Sequence, residues 1–419
     1  MNLRLMAASA AGVLALAGGT VAVVAESAAS SSADVATGTG TNFKPPADSL
    51  RALGAQVGLH IGTAATPADL STANLSTITS DQFSVLTPEN EMKWQVVEPQ
   101  EGQFDWTGAD NLVNYAAAHG ELVRGHTLVW HNQLPNWLTS GVAQQNADGT
   151  CPASSTTCIS DSQLRDLLHQ HITTEVSRYA GKIWQWDVVN EMLTDSNPSQ
   201  INPNDFWISH LGTGIIADAF RWAHAADPHA LLCYNDYNIA GEDGSNAKFN
   251  AAFSMIQGMI AQGVPISCVG DQGHLDTQFG FSPQAMTTDL QQYANLGLKV
   301  AITEADVRTF VETADSNQTP IVGTVKNPDG TTTSDPNPEH VAPTAEASWY
   351  DEMLQSCLAV RACISFTVWG FDDSESWVPG TFHGEGNADI YDVNLGQKPA
   401  YFALQQTLAL AAEAGGPKH

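Results

Sequence analysis

Ile183-Trp184-Gln185-Trp186-Asp187-Val188-Val189-Asn190-Glu191 is an apolar, β-prone run that ends abruptly in an amide and a carboxylate. A run of this kind suits a strand buried on both faces, and its polar end marks where the chain leaves the core. The pattern recurs. Val57–Ile61, Phe83–Leu86, Leu122–His126, Leu231–Tyr234, Ile266–Val269, Val300–Ile302 and Ile364–Val368 are short apolar runs, each followed by a polar turn and a stretch of helical period. Eight strands alternating with helices predict an α/β fold, a (β/α)8 TIM barrel forming a single domain.

One of the intervening helices is plain in the spacing. Leu164, Leu167, Leu168, Ile172 and Val176 recur at three- and four-residue steps, with Ser160 to Ser162 as capping candidates and Gly181 after the end. Barrels of this type run to about 250 residues and grow by insertion. Two insertions stand out, Ala143 to Ser160 and the Thr/Pro/Asn/Asp-rich Glu312 to Ala345, and the second is expected as a surface loop between a strand and its helix.

The ends of the chain have different compositions. Arg4 precedes an uncharged Ala/Val/Leu/Gly run, Leu5 to Ala25, and Val23-Val24-Ala25 offers small residues for cleavage. Residues 1–25 therefore read as an export signal, with an uncleaved anchor as the alternative for so long a run. Residues 26–47 have linker composition, the barrel is expected over 48–413, and 414–419 form a tail. The chain is expected to be secreted, free of the membrane after cleavage, and monomeric.

Charge narrows the partners. Sixteen Lys+Arg face 45 Asp+Glu, a net charge of −29, which repels nucleic acid and anionic lipid and suits a neutral ligand. Six cysteines fit export. Proximity suggests Cys151 with Cys158 and Cys357 with Cys363, leaving Cys233 and Cys268 to pair across the fold, although the count alone leaves other connectivities open. No C-x-x-C and no Cys/His cluster has finger-like spacing, so neither metal nor cofactor is expected.

In a (β/α)8 barrel the strand ends converge on one face, so the polar residues after each run belong together. They are Thr87-Pro88-Glu89-Asn90-Glu91-Met92-Lys93-Trp94, Gly125-His126-Thr127-Leu128-Val129-Trp130-His131, Asn190-Glu191, Gln272-Gly273-His274, Thr303-Glu304-Ala305-Asp306 and Val368-Trp369-Gly370. Glycosidic bonds are most often cut by two carboxyls, one protonated to release the leaving oxygen and one ionised. Glu191 and Glu304, each closing an apolar run, are the candidates. A single glutamate after a strand is usually a solvated loop residue, but a pair among tryptophans and amides suits a sugar.

Together with Tyr234-Asn235-Asp236-Tyr237-Asn238, Gly263-Val264-Pro265-Ile266, Ser376-Trp377-Val378-Pro379-Gly380-Thr381-Phe382 and Lys398-Pro399-Ala400-Tyr401, these segments resemble the family 10 glycoside hydrolases, the endo-β-1,4-xylanases. The similarity runs from about Asp48 to Ala412, and its specificity lies in the joint, ordered occurrence of the segments. It implies xylan and xylo-oligosaccharides as partners, Glu191 as general acid/base and Glu304 as nucleophile of a retaining mechanism, with the two carboxyls about 5–5.5 Å apart. The same resemblance gives Asn190 to the sugar 2-hydroxyl, His274 to the nucleophile and Asp306 to the imidazole. Glu89, Asn90, Lys93, His126 and Gln133 would grip xylose on the non-reducing side. Trp130, Trp369 and Trp377 would form aromatic walls, Gln272 would line the cleft, and Tyr237 would line the reducing side.

Two positions depart from the family pattern. Ala305 follows Glu304 where a large aliphatic residue is usual, which would loosen packing unless a neighbour compensates. Asp271 precedes Gln272 and would raise nearby pKa values if it points inward. The Glu312–Ala345 excursion is longer than usual and is expected to cover part of the cleft. Rival readings are a related barrel acting on cellulose, mannan or mixed-linkage glucan, and a non-catalytic sugar-binding barrel; the presence of both glutamates weighs against the latter.

Overall fold

Burial along every residue of Gln185–Asn190 is possible only if sheet neighbours and helices cover both sides, and the fold supplies them. The protein, described by a computed structural model over residues 43–242, 246–310, 323–326, 332–335 and 342–415, has eight barrel strands. These are β1 (His60–Ala65), β2 (Val85–Pro88), β3 (Leu122–Val129), β4 (Gln185–Asn190), β5 (Leu231–Asp236), β6 (Cys268–Asp271), β7 (Lys299–Phe310) and β8 (Cys363–Val368). Each pairs in parallel with the next, and β8 returns to β1, closing the barrel. The expected (β/α)8 architecture is what the chain adopts.

Local chemistry sets the boundaries. The helix Leu50–Val57 starts at Ser49, whose hydroxyl accepts the Ala52 N–H, and stops at Gly58, with φ 79°. The first apolar run is therefore misplaced by a few residues: Val57 ends that helix, and β1 starts at His60, because the left-handed glycine breaks the run in two. Helix Asp161–Arg178 begins with a capping box between Ser160 and Gln163. Its buried face holds Leu164, Leu168, Ile172 and Val176 as expected, but also His171 and Glu175, whereas Leu167 is half-buried. His171 stacks on Trp94 at 4.0 Å between ring centroids, and burial holds its pKa down to about 3, so it enters the core as a neutral ring.

Two glycines make room for the barrel's contents. A Cβ at Gly125 would lie 2.3 Å from the Trp186 ring, and one at Gly270 would lie 2.4 Å from Asn235 Oδ1. Either Cβ would force its neighbour out of place.

The cysteines pair as Cys151–Cys158, Cys233–Cys268 and Cys357–Cys363. The middle bridge joins β5 to β6 at residues that are also register partners.

The Glu312–Ala345 excursion does follow β7 and precede a helix, but it is not all loop. Gly323–Lys326 pairs antiparallel with Thr332–Asp335, and the helix Ala342–Ala359 starts inside the expected span. Thr324, Val325 and the threonines of 332–333 are β-prone, which outweighs the surrounding turn residues. The rest of that span lies outside the described residues, as do residues 1–42 of the expected signal and linker and residues 416–419 of the tail. The final helix ends at Glu413. Among the described residues, no helix is long and apolar enough to cross a membrane.

Candidate active site

The strand ends carry side chains of opposite destiny. Arg124 and His126 lie two residues apart on β3 and point the same way, as alternation requires. Arg124 is buried, its Nε donates to Asp187 Oδ2 (2.8 Å), and its guanidinium reaches Thr303 O (2.5 Å) and Glu304 Oε1 (3.2 Å). His126 Nδ1 meets the same Asp187 oxygen at 2.9 Å. One buried cation thus ties β3, β4 and β7 together beneath Glu304. His126, Asp187 and Glu304 bring ligand-type atoms within 4.8 Å of one another, and the Arg124 guanidinium already pairs with both carboxylates.

Glu304 is anchored from three more directions. Its N–H donates to Gln272 O (2.8 Å), Asn235 Nδ2 donates to its Oε1 (2.8 Å), and His274 Nε2 stands 3.5 Å from its Oε2. Asn235 is held in turn by the Thr303 hydroxyl on its Oδ1 (2.7 Å), in the space that Gly270 leaves open. Burial pushes the Glu304 carboxyl up. The His274 hydrogen bond and the charges of His126, Arg124 and His274 outweigh it and hold the group well below the usual carboxylate range.

Asp306 sits two residues on, with Oδ2 against His274 Nδ1 (2.8 Å) and accepting from Trp377 Nε1 (2.8 Å). Burial opposes a charge on His274, but Asp306 and Glu304 carry its pKa up to about 10. The imidazole is therefore a fixed cation between two carboxylates.

Glu191 leaves β4 with φ 57°, a left-handed conformation uncommon for a non-glycine residue, and its N–H donates to Asn235 O (3.0 Å). Trp130 Nε1 donates to its Oε2 (2.8 Å) and Gln272 Nε2 to its Oε1 (2.9 Å). Asn190 Oδ1 accepts from both Asn235 (2.8 Å) and Gln272 (3.4 Å). Asn235 touches Glu304 and Gln272 touches Glu191, so both glutamates belong to one hydrogen-bonded network at one end of the barrel.

To one side lies a polar, aromatic floor. Gln133 and Lys93 both donate to Asn90 Oδ1 (3.0 and 3.3 Å), and Asn90 donates to Glu89 (3.2 Å). Lys93 lies 4.9 Å over the Trp130 ring and 5.9 Å over Trp369. Burial lowers the Lys93 pKa, and the charges of Glu304, Glu89 and Glu191 work against that. Trp369 packs against His126 at 5.1 Å, and Glu89, Trp369 and Trp377 line one depression. Tyr237 lies on the opposite side, after β5.

All fifteen predicted catalytic and sugar-contacting residues therefore gather at this end of the barrel. Asp271 does not turn inward. Its fully buried carboxyl faces away, accepting the Ile239 N–H (3.2 Å), because Gln272 beside it takes the inward position and neighbours alternate. Burial and then the nearby Glu242 push its pKa well up. Ala305 is buried against the outer layer, where Tyr350 donates to its carbonyl (3.4 Å); Tyr350 and Met353 are among the buried side chains of that layer.

Arg124, Asp187 and Asn235 were not assigned from sequence. A charged residue inside an apolar strand run, two positions before a predicted site histidine, was the available signal for Arg124. Asp187 sits likewise within its run, and Asn235 follows Tyr234 at the end of its own.

A (β/α)8 barrel with two glutamates in one network, walled by indoles, has the architecture of a two-carboxylate glycoside hydrolase. Residues 49–407 match the family described as Glycosyl hydrolase family 10, and the chain belongs to it. It is similar to endo-1,4-beta-xylanase B of Thermotoga neapolitana (34% identity over 362 residues, 86% of this chain and 91% of that one). It also resembles an endo-1,4-beta-xylanase of Agaricus bisporus (35% over 319 residues, 76% of this chain and 81% of that one). Among solved structures, xylanase 10B of Thermotoga petrophila, crystallised with xylobiose, aligns with a TM-score of 0.73 at 32% identity, covering 89% of this chain and all of that one.

Proposed function

We propose that this protein is a retaining endo-β-1,4-xylanase, with Glu191 as general acid/base and Glu304 as nucleophile. The observation that carries the roles is electrostatic. Glu304 faces Arg124, His274 and Asn235, all donors, and is held ionised, as a nucleophile must be. Among the described residues, the side-chain hydrogen bonds to the Glu191 carboxyl come from the neutral donors Trp130 Nε1 and Gln272 Nε2, with no guanidinium or imidazole bonded to it as there is on Glu304.

In this reading Glu191 protonates the glycosidic oxygen as Glu304 attacks the anomeric carbon. The bond to the leaving sugar breaks and a glycosyl ester forms. Esterification removes the negative charge of Glu304, so Glu191, now ionised, takes a proton from the water that hydrolyses the ester. Two inversions leave the β configuration unchanged. Xylan is favoured as substrate by the names of the relatives, and by Trp369 and Trp377 beside the sugar, where a hydroxymethyl group on C5 would be crowded. The reading extends to a secreted protein with a cleaved leader over 1–25 and a barrel over 48–413, acting as a single chain, since both carboxyls come from one barrel. The leader's composition and the three disulfides support export.

Product analysis on arabinoxylan, with NMR of the first-formed anomer, tests substrate and stereochemistry together. Short β-configured xylo-oligosaccharides are expected; an α first product, or faster cleavage of cello-oligosaccharides, rejects the reading. Azide added to a Glu304→Ala variant should yield α-glycosyl azide, and added to Glu191→Ala the β anomer. The reverse pattern exchanges the roles.

A further inference from the structure

Behind the leaving-group side of Glu191 lies a second ionic assembly that the chemistry above does not use. Asp236, at the outward-facing end of β5, is fully buried and accepts from Tyr234 OH (2.6 Å) and the Tyr237 N–H (2.9 Å). Its Oδ1 pairs with Lys248 Nζ at 2.9 Å, a lysine from the helix Ala247–Ala261 whose side chain is only 3% exposed. A buried lysine with one buried carboxylate is already neutralised. Here a second carboxylate is added from another loop: Asp195, after β4, meets Lys248 Nζ with Oδ1 at 3.0 Å and the Tyr237 hydroxyl with Oδ2 at 2.9 Å. Lys248 Nζ also lies 3.1 Å from the Tyr237 ring centroid.

The Tyr237 ring is thus held at its backbone by Asp236, on one face by Lys248 and at its hydroxyl by Asp195. The Asp195 side chain is 67% exposed, and an exposed carboxylate paired to one cation alone is worth little. Its two oxygens instead bridge two groups and fasten the loop that begins at Glu191 to the end of β5. The same loop is tied once more where Met192 N–H donates to Tyr234 OH (3.3 Å).

Position gives this assembly a direction. Lys93, Asn90, Gln133 and Trp369 occupy the β2, β3 and β8 side of the glutamates, while Tyr237 occupies the β4 and β5 side, beside the loop that carries Glu191. The acid must stand over the leaving oxygen, so the departing sugar lies on its side. Resting on the xylanase reading, we propose that Lys248 and Asp195 are positioning residues that fix the Tyr237 ring as a platform for the leaving xylose, and so set how firmly that side of the cleft grips a xylan chain.

The test compares kcat/KM for xylohexaose, which must fill the leaving-group side, with that for β-xylobiosyl fluoride, whose leaving group has no ring to pack. Asp195→Ala leads, because it keeps the Lys248–Asp236 pair. It is expected to lower kcat/KM on xylohexaose on the order of five- to tenfold, through KM, with the fluoride substrate within about twofold of native. Tyr237→Phe, which removes only the hydroxyl, should shift the ratio the same way by less. Lys248→Arg should retain most of the native ratio, and Lys248→Met should lose it. An equal fall on both substrates for Asp195→Ala, or an unchanged xylohexaose value, overturns the proposal. A native protein inert towards both substrates sinks the xylanase reading itself, and this inference with it.

Discussion

Replacing His274 by glutamine tests the electrostatic core of the site. The imidazole is a cation up to about pH 10, held there against burial by Asp306 and Glu304, and its Nε2 lies 3.5 Å from Glu304. Hydrogen bonds to charged groups are worth about 1.5–3 kcal/mol, and 1.36 kcal/mol corresponds to one pK unit. A neutral amide of similar length should therefore raise the Glu304 pKa by about one to two units. The signs follow from linkage. Glu304, depressed in the fold, contributes stability that is present above its ordinary value of 4.5 and lost as pH falls through its lowered pKa. His274, raised in the fold, contributes stability that is complete below 6.5 and lost as pH rises through about 10. In kcat/KM profiles, which report groups of the free enzyme, the variant should show an acid limb displaced upward by about one to two pH units. Acid unfolding, followed in parallel, should begin at higher pH. An acid limb that overlays the native one within about 0.3 unit would refute the assignment of His274 as one of the charges that keep Glu304 ionised.

Other perturbations separate architecture from chemistry. Arg124→Ala leaves Asp187 and Glu304 facing each other without their shared guanidinium, and should cost about 3–5 kcal/mol in a denaturant midpoint; a loss under about 1 kcal/mol would show the cation to be dispensable for folding. Glu121 is buried with its pKa pushed up to about 8 by desolvation, against the pull of Arg51. Its raised pKa makes its stability contribution complete below 4.5 and lost as pH rises to 8, so Glu121→Gln should gain on the native protein across that window, by no more than about 5 kcal/mol. Equal thermal midpoints at both ends of the window would contradict this. Among the disulfides, Cys233–Cys268 closes the longest loop, with a sequence separation of 35 against 7 and 6. Replacing both of its cysteines by alanine should cost about 4 kcal/mol, against about 2–3 for either short bridge, by loop-closure entropy; an inverted order would mean that local packing outweighs chain entropy.

How far the chain can be read without its fold depends on the range of the force involved. Apolar runs, the Ser160 cap and the polar strand ends are local patterns, each visible within a few residues, and they suffice for eight strands and for a common destination of Glu191 and Glu304. Even there, Gly58 split one run in a way that needed the backbone's handedness to see. Arg124, Asp187 and Asn235 were hidden because a charge or amide within a strand looks like a defect until its partners, on other strands and distant in the chain, are brought opposite it. The inward or outward sense of Asp271 against Gln272 turned on the phase of alternation at a strand end. That phase, like the ring of charges around Glu304 and the bridge from Lys248 through Asp195 to Tyr237, comes from closing the barrel: only closure brings β3, β4 and β7 together around one guanidinium and fixes which of two neighbouring side chains meets the substrate.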